Sequence, residues 1–149
     1  MTDVFTRTRD GFTVSDDPTR LDLGAVHAFL TRSYWAKGIP RDTVERAVAG
    51  SLCFGLYDAS GEQVGYARVI TDRATFAYLC DVYVLEAYRG HGLGVWLTAC
   101  VLDHPDLQGL RRFLLTTQDA HGVYEKVGFV RAPFPERFMV IDRPTLYQR

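Results

Sequence analysis

The chain has 149 residues, of which 47% are hydrophobic and 23% are charged, a balance typical of one folded domain that argues against long disordered regions. The formal net charge is −1 and no dense block of lysine and arginine occurs, which argues against a nucleic-acid partner. The three cysteines lie in apolar stretches without metal-ligand spacing, and no apolar run is long enough to span a membrane. We therefore expect a single domain over residues 1–149, in a soluble, cytoplasmic protein that binds neither a metal ion nor a membrane.

Hydrophobic periodicity divides the chain into strands and helices, with glycine, proline and aspartate at the boundaries. The predicted strands span residues 12–15, 52–57, 63–70, 75–85, 113–116 and 138–141, and the predicted helices span residues 21–32, 41–50, 95–104 and 120–127. This order predicts an α/β domain in which a mixed sheet is covered by helices.

The most informative stretch joins the long strand to the third helix through a glycine-rich turn, Arg89-Gly90-His91-Gly92-Leu93-Gly94. A turn of this kind gathers unpaired backbone N–H groups at the positive end of a helix, where phosphate oxygens bind. Two common phosphate motifs do not fit. A nucleotide P-loop needs Lys followed by Ser or Thr where Val95-Trp96 stand, and the third glycine of G-x-G-x-x-G is replaced by Val95.

The pattern that fits is R-x-x-G-x-G, which resembles the acetyl-CoA pyrophosphate loop of the GNAT N-acetyltransferase superfamily. A second motif agrees with it, because residues 120–129 read AHGVYEKVGF and resemble the late helix of that family, A-x-x-x-Y-E-K-x-G-F. The order of the predicted elements also matches the family along nearly the whole chain. The resemblance implies a mixed, mostly antiparallel sheet with splayed central strands and helices on both faces.

The resemblance further implies that acetyl-CoA is the co-substrate and that an acetyl group passes directly to a primary amine. The pantetheine arm would lie along the backbone of the long strand, and the pyrophosphate would lie on the glycine turn. Many members have asparagine where this chain has Thr117, so the usual amide contact is replaced by a hydroxyl. The residues expected to hold acetyl-CoA are Val82, Tyr83, Val84, Arg89, Gly90, His91, Gly92, Leu93, Gly94 and Thr117.

Two residues are expected to carry the chemistry. Tyr124 stands at the position of the family's general acid, and a phenol is protonated at neutral pH and can protonate a leaving thiolate. Asp81 lies in an apolar strand, where burial of a carboxylate is costly unless the group is paired or hydrogen-bonded. It could bind an ammonium group or take its proton through a water, or it could simply be bonded to an arginine or to backbone for structure. His27 and His91 are further candidates for the base.

Strict alternation along the long strand predicts that Leu79, Asp81 and Tyr83 share one face, with Cys80, Val82 and Val84 on the other. In the family, the acceptor pocket is built from the first two helices and the loop between them. That loop here contains Tyr34 and Trp35, which we expect to contact the acceptor together with Asp81.

The acceptor itself stays open at this point among a polyamine, an amino acid, an aminoglycoside-like molecule and a peptide or lysine amine. The leading interpretation is an N-acetyltransferase acting on a small amine. The alternatives are a protein or peptide acetyltransferase and a non-catalytic acyl-CoA-binding regulatory module, and a homodimer is possible.

Overall fold

The computed structural model describes residues 3–148 and contains one six-stranded sheet in the order β1-β2-β3-β4-β5-β6. Neighbouring strands are antiparallel except β5 and β6, which are parallel. In chain order the elements are β1 (Thr6–Arg9), β2 (Phe12–Ser15), α1 (Leu23–Leu30), α2 (Arg41–Ala49), β3 (Leu52–Tyr57), β4 (Gln63–Thr71), β5 (Phe76–Val84), α3 (Leu93–Leu102), β6 (Arg112–Leu115) and α4 (His121–Glu125).

The sheet has a hydrophobic core on each face, as expected for helices that cover both sides. On one face α3 supplies Leu93, Leu97 and Val101 to a cluster with side chains from β2 to β5, and Tyr124 of α4 packs against it. On the other face Val26 and Leu30 of α1 and Val44 of α2 pack against residues of β3, β4 and β5. The predicted fold class is therefore confirmed.

The two parallel strands diverge halfway along β5. Register pairs join Phe76–Leu79 of β5 to Arg112–Leu115 of β6, and the pairing stops there. The second half of β5, residues 80–84, continues along β4 only, so its other edge has no strand partner in the described part of the chain. This divergence is the splay that the family resemblance implied, and it opens a cleft beside the backbone of β5.

A β-bulge in β5 overturns the predicted alternation of faces. The register against β4 shifts by one residue between the Tyr66–Tyr83 pair and the Arg68–Cys80 pair, and Asp81 adopts a left-handed conformation with φ of 56°. One extra residue inverts every later side chain. Leu79 accordingly shares a cluster with Val82 and Val84, and Tyr83 packs on the opposite face. The prediction that Leu79, Asp81 and Tyr83 share a face was wrong for Leu79.

The predicted last strand was also wrong. Residues 138–141 lie outside any strand, and their side chains are exposed, with Met139 at 96% and Ile141 at 84%. The segment has the composition of a strand, but no strand edge of the described chain pairs with it, and β-propensity expresses itself only in a sheet. The suggested homodimer stays a prediction.

The first strand was missed because β1 reads Thr-Arg-Thr-Arg and is exposed throughout, so it carries no hydrophobic alternation. A signal was nevertheless present in Asp10-Gly11, which joins β1 to β2 with positive φ values of 50° and 83°. Asp-Gly is a favoured two-residue hairpin turn. Among residues 3–148, no helix is long and apolar enough to cross a membrane.

Candidate active site

The open edge of β5 presents backbone groups to the cleft. Leu85 donates its N–H to the Val64 carbonyl at 2.8 Å and so faces β4. Because successive backbone groups of a strand point to opposite edges, the N–H and C=O of Val84 face the cleft. The Val84 carbonyl there accepts a hydrogen bond from Arg89 Nε at 2.9 Å. Arg89 thus joins the open edge to the glycine turn, and its two terminal amino groups are available for an anion.

The glycine turn closes onto the N-terminus of α3. Gly90 and Gly92 have φ values of 86° and 74°, which L side chains rarely adopt. Gly92 is the N-cap of α3, and no side chain of the described chain caps this helix start. A Cβ placed on Gly94 would have no atom within 4 Å beyond its chain neighbours and the backbone of its own helix. The first N–H groups of α3 thus lack a capping side chain in the described chain and suit an anionic ligand.

A second guanidinium lies beside this turn. Arg9 of β1 has Nη2 3.7 Å from where a Cβ of Gly92 would stand, and its guanidinium lies 5.3 Å from the centre of the Trp96 ring. Arg9 was not among the predicted site residues because β1 itself was missed. No motif in the sequence links Arg9 to the glycine turn, and only the hairpin signal at Asp10-Gly11 could have placed Arg9 in the sheet.

Tyr124 lies on α4 and is partly buried against the core of the α3 face, with Phe129 edge-on at 6.0 Å. Burial raises the pKa of its phenol above the ordinary value of 10.0, and the nearby Tyr34 and Asp119 raise it further. The side chain is therefore protonated throughout the neutral range.

Thr117 has a structural contact of its own. Its hydroxyl oxygen accepts a hydrogen bond from the Ala120 N–H at 3.0 Å, immediately before α4. This bond satisfies one N–H at the start of a short helix. The hydroxyl hydrogen can still be donated to another group, so its contact with acetyl-CoA stays a prediction.

Asp81 is held at the bulge by two side chains. Arg68 of β4 donates Nε–H to one carboxylate oxygen at 2.8 Å, and Trp35 donates its indole N–H to the other at 2.9 Å. Arg68 also donates to the Ser51 hydroxyl at 3.1 Å. The Arg68 and Asp81 side chains are only 16% and 11% exposed. The structure thus displays the arginine-bonded arrangement that was one of the two interpretations of Asp81, and its role as a base stays a prediction.

Tyr34 and Trp35 form the outer part of an aromatic group. Their rings meet edge-on at 5.1 Å, and Trp35 lies 6.2 Å from Phe29. Phe29 in turn stacks on Tyr83 of β5 at 3.9 Å with an interplanar angle of 7°. The predicted acceptor residues are therefore brought to the cleft half of β5, where Asp81 anchors the indole.

The two histidines considered as bases differ in their surroundings. His27 Nε2 lies 3.0 Å from the Ile39 carbonyl, which ties α1 to the end of the following loop. His91 is exposed in the glycine turn. No group of three or more His, Cys, Asp or Glu side chains within residues 3–148 is arranged to hold a metal ion.

Comparison with known proteins places this geometry in a family. Residues 19–129 match the model of the acetyltransferase (GNAT) family. A fungal relative from Gibberella zeae, named "Putative acetyltransferase FG08082", is 37% identical, and the match covers 80% of this chain and 78% of the relative.

Solved structures agree in fold. A "putative acetyltransferase belonging to the gnat family" from Xanthomonas campestris pv. campestris is 48% identical, covers 95% of this chain and 100% of its own, and superposes with a TM-score of 0.90. A "predicted acetyltransferase with acetyl-CoA" from Clostridium acetobutylicum is 14% identical, covers 88% of this chain and 94% of its own, and has a TM-score of 0.63. The second likeness concerns the fold alone.

Proposed function

The chain belongs to the acetyltransferase (GNAT) family, and from this premise we propose that it transfers an acetyl group from acetyl-CoA to a primary amine of a small molecule. One observation carries the proposal: the open edge of β5 leads through a short 3-10 helix, Glu86–Tyr88, to a glycine turn with an uncapped helix start, and Arg89 at the beginning of that turn donates a hydrogen bond to the Val84 carbonyl on the open edge. An anion on the turn and an extended arm along the strand edge would together suit the shape of acetyl-CoA.

In this proposal the residues of the glycine turn bind the pyrophosphate through backbone N–H groups and the Arg89 guanidinium. Tyr83 is part of the strand that holds the arm. The backbone of Val82 and Val84 pairs with the pantetheine arm, and one of their N–H groups polarises the acetyl carbonyl. A single donor of this kind is worth about 3 kcal/mol of transition-state stabilisation.

The transfer itself requires few protein groups. The neutral amine nitrogen bonds to the acetyl carbon, the carbon–sulfur bond breaks, and the departing thiolate takes the phenol proton of Tyr124. The proton lost by the amine nitrogen returns through solvent to the phenolate. Most of the rate then comes from holding the two reactants in line, because oriented reactants gain a large entropic advantage.

Replacing Arg89 by alanine is expected to weaken acetyl-CoA binding by about tenfold or more, because a hydrogen bond to a charged group contributes roughly 1.5–3 kcal/mol. Isothermal titration calorimetry with CoA measures this directly. Arg111→Ala is the matched control, because Arg111 is an exposed arginine at the opposite end of β5 and β6. Equal affinities of the wild-type and Arg89→Ala proteins would remove Arg89 from the pyrophosphate site.

Gly94→Ala is expected to stabilise the folded protein while weakening its binding of CoA. Gly94 lies in the first turn of α3 without a positive φ, and a Cβ there meets no neighbouring atom. Alanine should therefore raise the free energy of unfolding of the ligand-free protein by up to about 1 kcal/mol. The same methyl group would stand over the uncovered N–H groups and lower CoA affinity by about tenfold. Thermal unfolding and calorimetry measure the two effects, and an unchanged CoA affinity would mean that α3 does not bind the phosphates.

The proposal as a whole is tested by titrating the purified protein with acetyl-CoA and free CoA, followed by a thiol-release assay over a panel of amines. Micromolar binding with amine-dependent thiol release supports the enzyme. Binding without release from any amine or peptide favours the regulatory module, and release from peptides alone favours the protein acetyltransferase. Absence of binding refutes the proposed cofactor site.

A further inference from the structure

The loop between α1 and α2 forms one wall of the cleft, and its chemistry bears on the acceptor. Trp35 donates a hydrogen bond to Asp81, one residue before the Val82–Val84 edge, and the Tyr34 ring meets the Trp35 ring edge-on at 5.1 Å. These contacts place the loop beside the proposed position of the acetyl carbonyl. An acceptor that approaches the Val82–Val84 edge from this side passes along Tyr34 and Trp35.

This wall offers aromatic surface. Tyr34 is 57% exposed and Trp35 is 39% exposed, although both belong to a chain of rings that continues inward through Phe29 to Tyr83. The inner rings hold the outer ones in place, and the indole is further fixed by its hydrogen bond to Asp81. A fixed ring with a free face is a suitable partner for another flat ring, because such pairs gain energy beyond the burial of area.

The wall offers little negative charge. The Asp81 carboxylate is already paired with Arg68. Asp72 lies at the other end of β5 and accepts hydrogen bonds from Thr75 and from the backbone of its own turn. Asp119, which influences Tyr124, is exposed and screened by solvent. A polyamine with two or more ammonium groups would need more free carboxylates than these residues supply.

The charges next to the loop in sequence are positive. Arg32 precedes the aromatic residues and Lys37 follows them, and both side chains are exposed. These two cations disfavour an acceptor that carries several positive charges. An acceptor with a single ammonium group meets less of this repulsion, and its nitrogen becomes the nucleophile once its proton has been lost to solvent.

We propose that the acceptor is a primary amine joined by a short linker to a flat aromatic ring, with the ring against Tyr34 and Trp35 and the nitrogen at the Val82–Val84 edge. This inference rests on the proposed acetyl transfer and assigns its substrate class. The bonds formed and broken are those described above, so the products are the N-acetylated aromatic amine and CoA.

The test compares amines of matched length. We expect kcat/KM for 2-phenylethylamine to be at least about tenfold higher than kcat/KM for 1,4-diaminobutane or spermidine. It should also be about threefold or more higher than kcat/KM for 2-cyclohexylethylamine. Calorimetric binding of the same amines to the CoA-saturated protein should follow the same order. Equal or better use of the diamines, or equal use of the saturated ring, would overturn the inference.

Variants of Trp35 separate the ring from its hydrogen bond. Trp35→Leu should lower kcat/KM for 2-phenylethylamine by about tenfold and leave CoA affinity unchanged. Trp35→Phe keeps a ring and should lower the same kcat/KM by less than about threefold. Phe76→Leu is the control, because this exposed ring lies at the start of β5, away from the cleft. An equal loss for all amines in Trp35→Leu would assign the indole a structural role and overturn the inference.

The two proposals fail in different ways. If the CoA-saturated protein binds 2-phenylethylamine in preference to diamines but no thiol is released, acetyl transfer is refuted and the aromatic site stands. If thiol is released with diamines and not with 2-phenylethylamine, acetyl transfer stands and the aromatic site is refuted.

Discussion

Tyr124→Phe is expected to lower kcat by about 100-fold, the lower end of what a positioned general acid contributes. The variant removes one hydroxyl and keeps the ring that packs against Phe129 and the α3 face. The fold and the affinity for CoA should therefore be preserved. Single-turnover measurement of thiol release, in which chemistry rather than product release is observed, gives the relevant rate.

The pH dependence gives a second readout of the same role. Because burial and its neighbours raise the pKa of Tyr124 above 10.0, the acidic form that donates the proton persists through the neutral range. The loss of kcat that comes from ionising this phenol should therefore appear only above pH 10.0. Tyr124→Phe has no phenol to ionise, so this alkaline decline should be absent from its residual activity.

A matched control comes from β5. Tyr78→Phe also removes a hydroxyl, which lies 3.2 Å from the Thr116 hydroxyl in the half of β5 that is paired with β6. We expect this variant to retain wild-type kcat. A Tyr124→Phe enzyme with wild-type single-turnover rate would refute the general-acid role, whatever the effect on stability.

Much of the fold followed from local patterns. Strand β3 was predicted with the bounds that the structure has, because Leu52–Tyr57 is a continuous apolar run bounded by turn residues. Helix α2 ends at Ala49 and Gly50 is its C-cap, so the prediction that Gly50 closes this helix is confirmed. The glycine turn was correctly predicted to lie between β5 and the third helix, because both signals lie within a few positions in sequence. The helix begins at Leu93 rather than at Val95, so Leu93 and Gly94 belong to α3 and not to the turn.

The predictions that failed share a physical cause: each concerned a feature that depends on contacts between residues far apart in the sequence. Nothing within residues 138–141 indicates that a strand-like segment lacks a partner edge. The bulge at Asp81 depends on the register against β4, so local alternation assigned Leu79 to the wrong face. The Arg68–Asp81 pair joins two strands, and an aspartate in an apolar strand only signalled that some partner was needed.

Breaking the Arg68–Asp81 pair is the second large effect that we expect. Arg68→Met leaves a carboxylate that is 11% exposed without its cation, and removal of one partner of a buried pair costs about 3 kcal/mol. Asp81→Asn should cost less. Asparagine tolerates the left-handed backbone, and its single amide oxygen can still accept one of the two hydrogen bonds, from Trp35 or from Arg68. Urea unfolding with an unchanged m-value measures both free energies.

The double variant Arg68→Met/Asp81→Asn decides whether the two charges act as a pair. Removing both leaves no uncompensated charge, so its loss of stability should be smaller than the sum of the single losses by about 1 kcal/mol or more. The exposed Arg41–Glu45 pair on α2 is the control, and the same cycle of Arg41→Met and Glu45→Gln should give a coupling of about 0.3 kcal/mol. Additive effects at Arg68 and Asp81 would contradict the pairing.

The same variants separate the two interpretations of Asp81. If the carboxylate only positions Trp35 and neutralises Arg68, Asp81→Asn should retain kcat within a few-fold at temperatures where it is folded. If the carboxylate takes the amine proton, kcat should fall by about 100-fold in Asp81→Asn, and the double variant should not recover it even where stability is recovered. A protein that keeps its stability and loses its rate would identify Asp81 as the base, because packing alone cannot produce that combination.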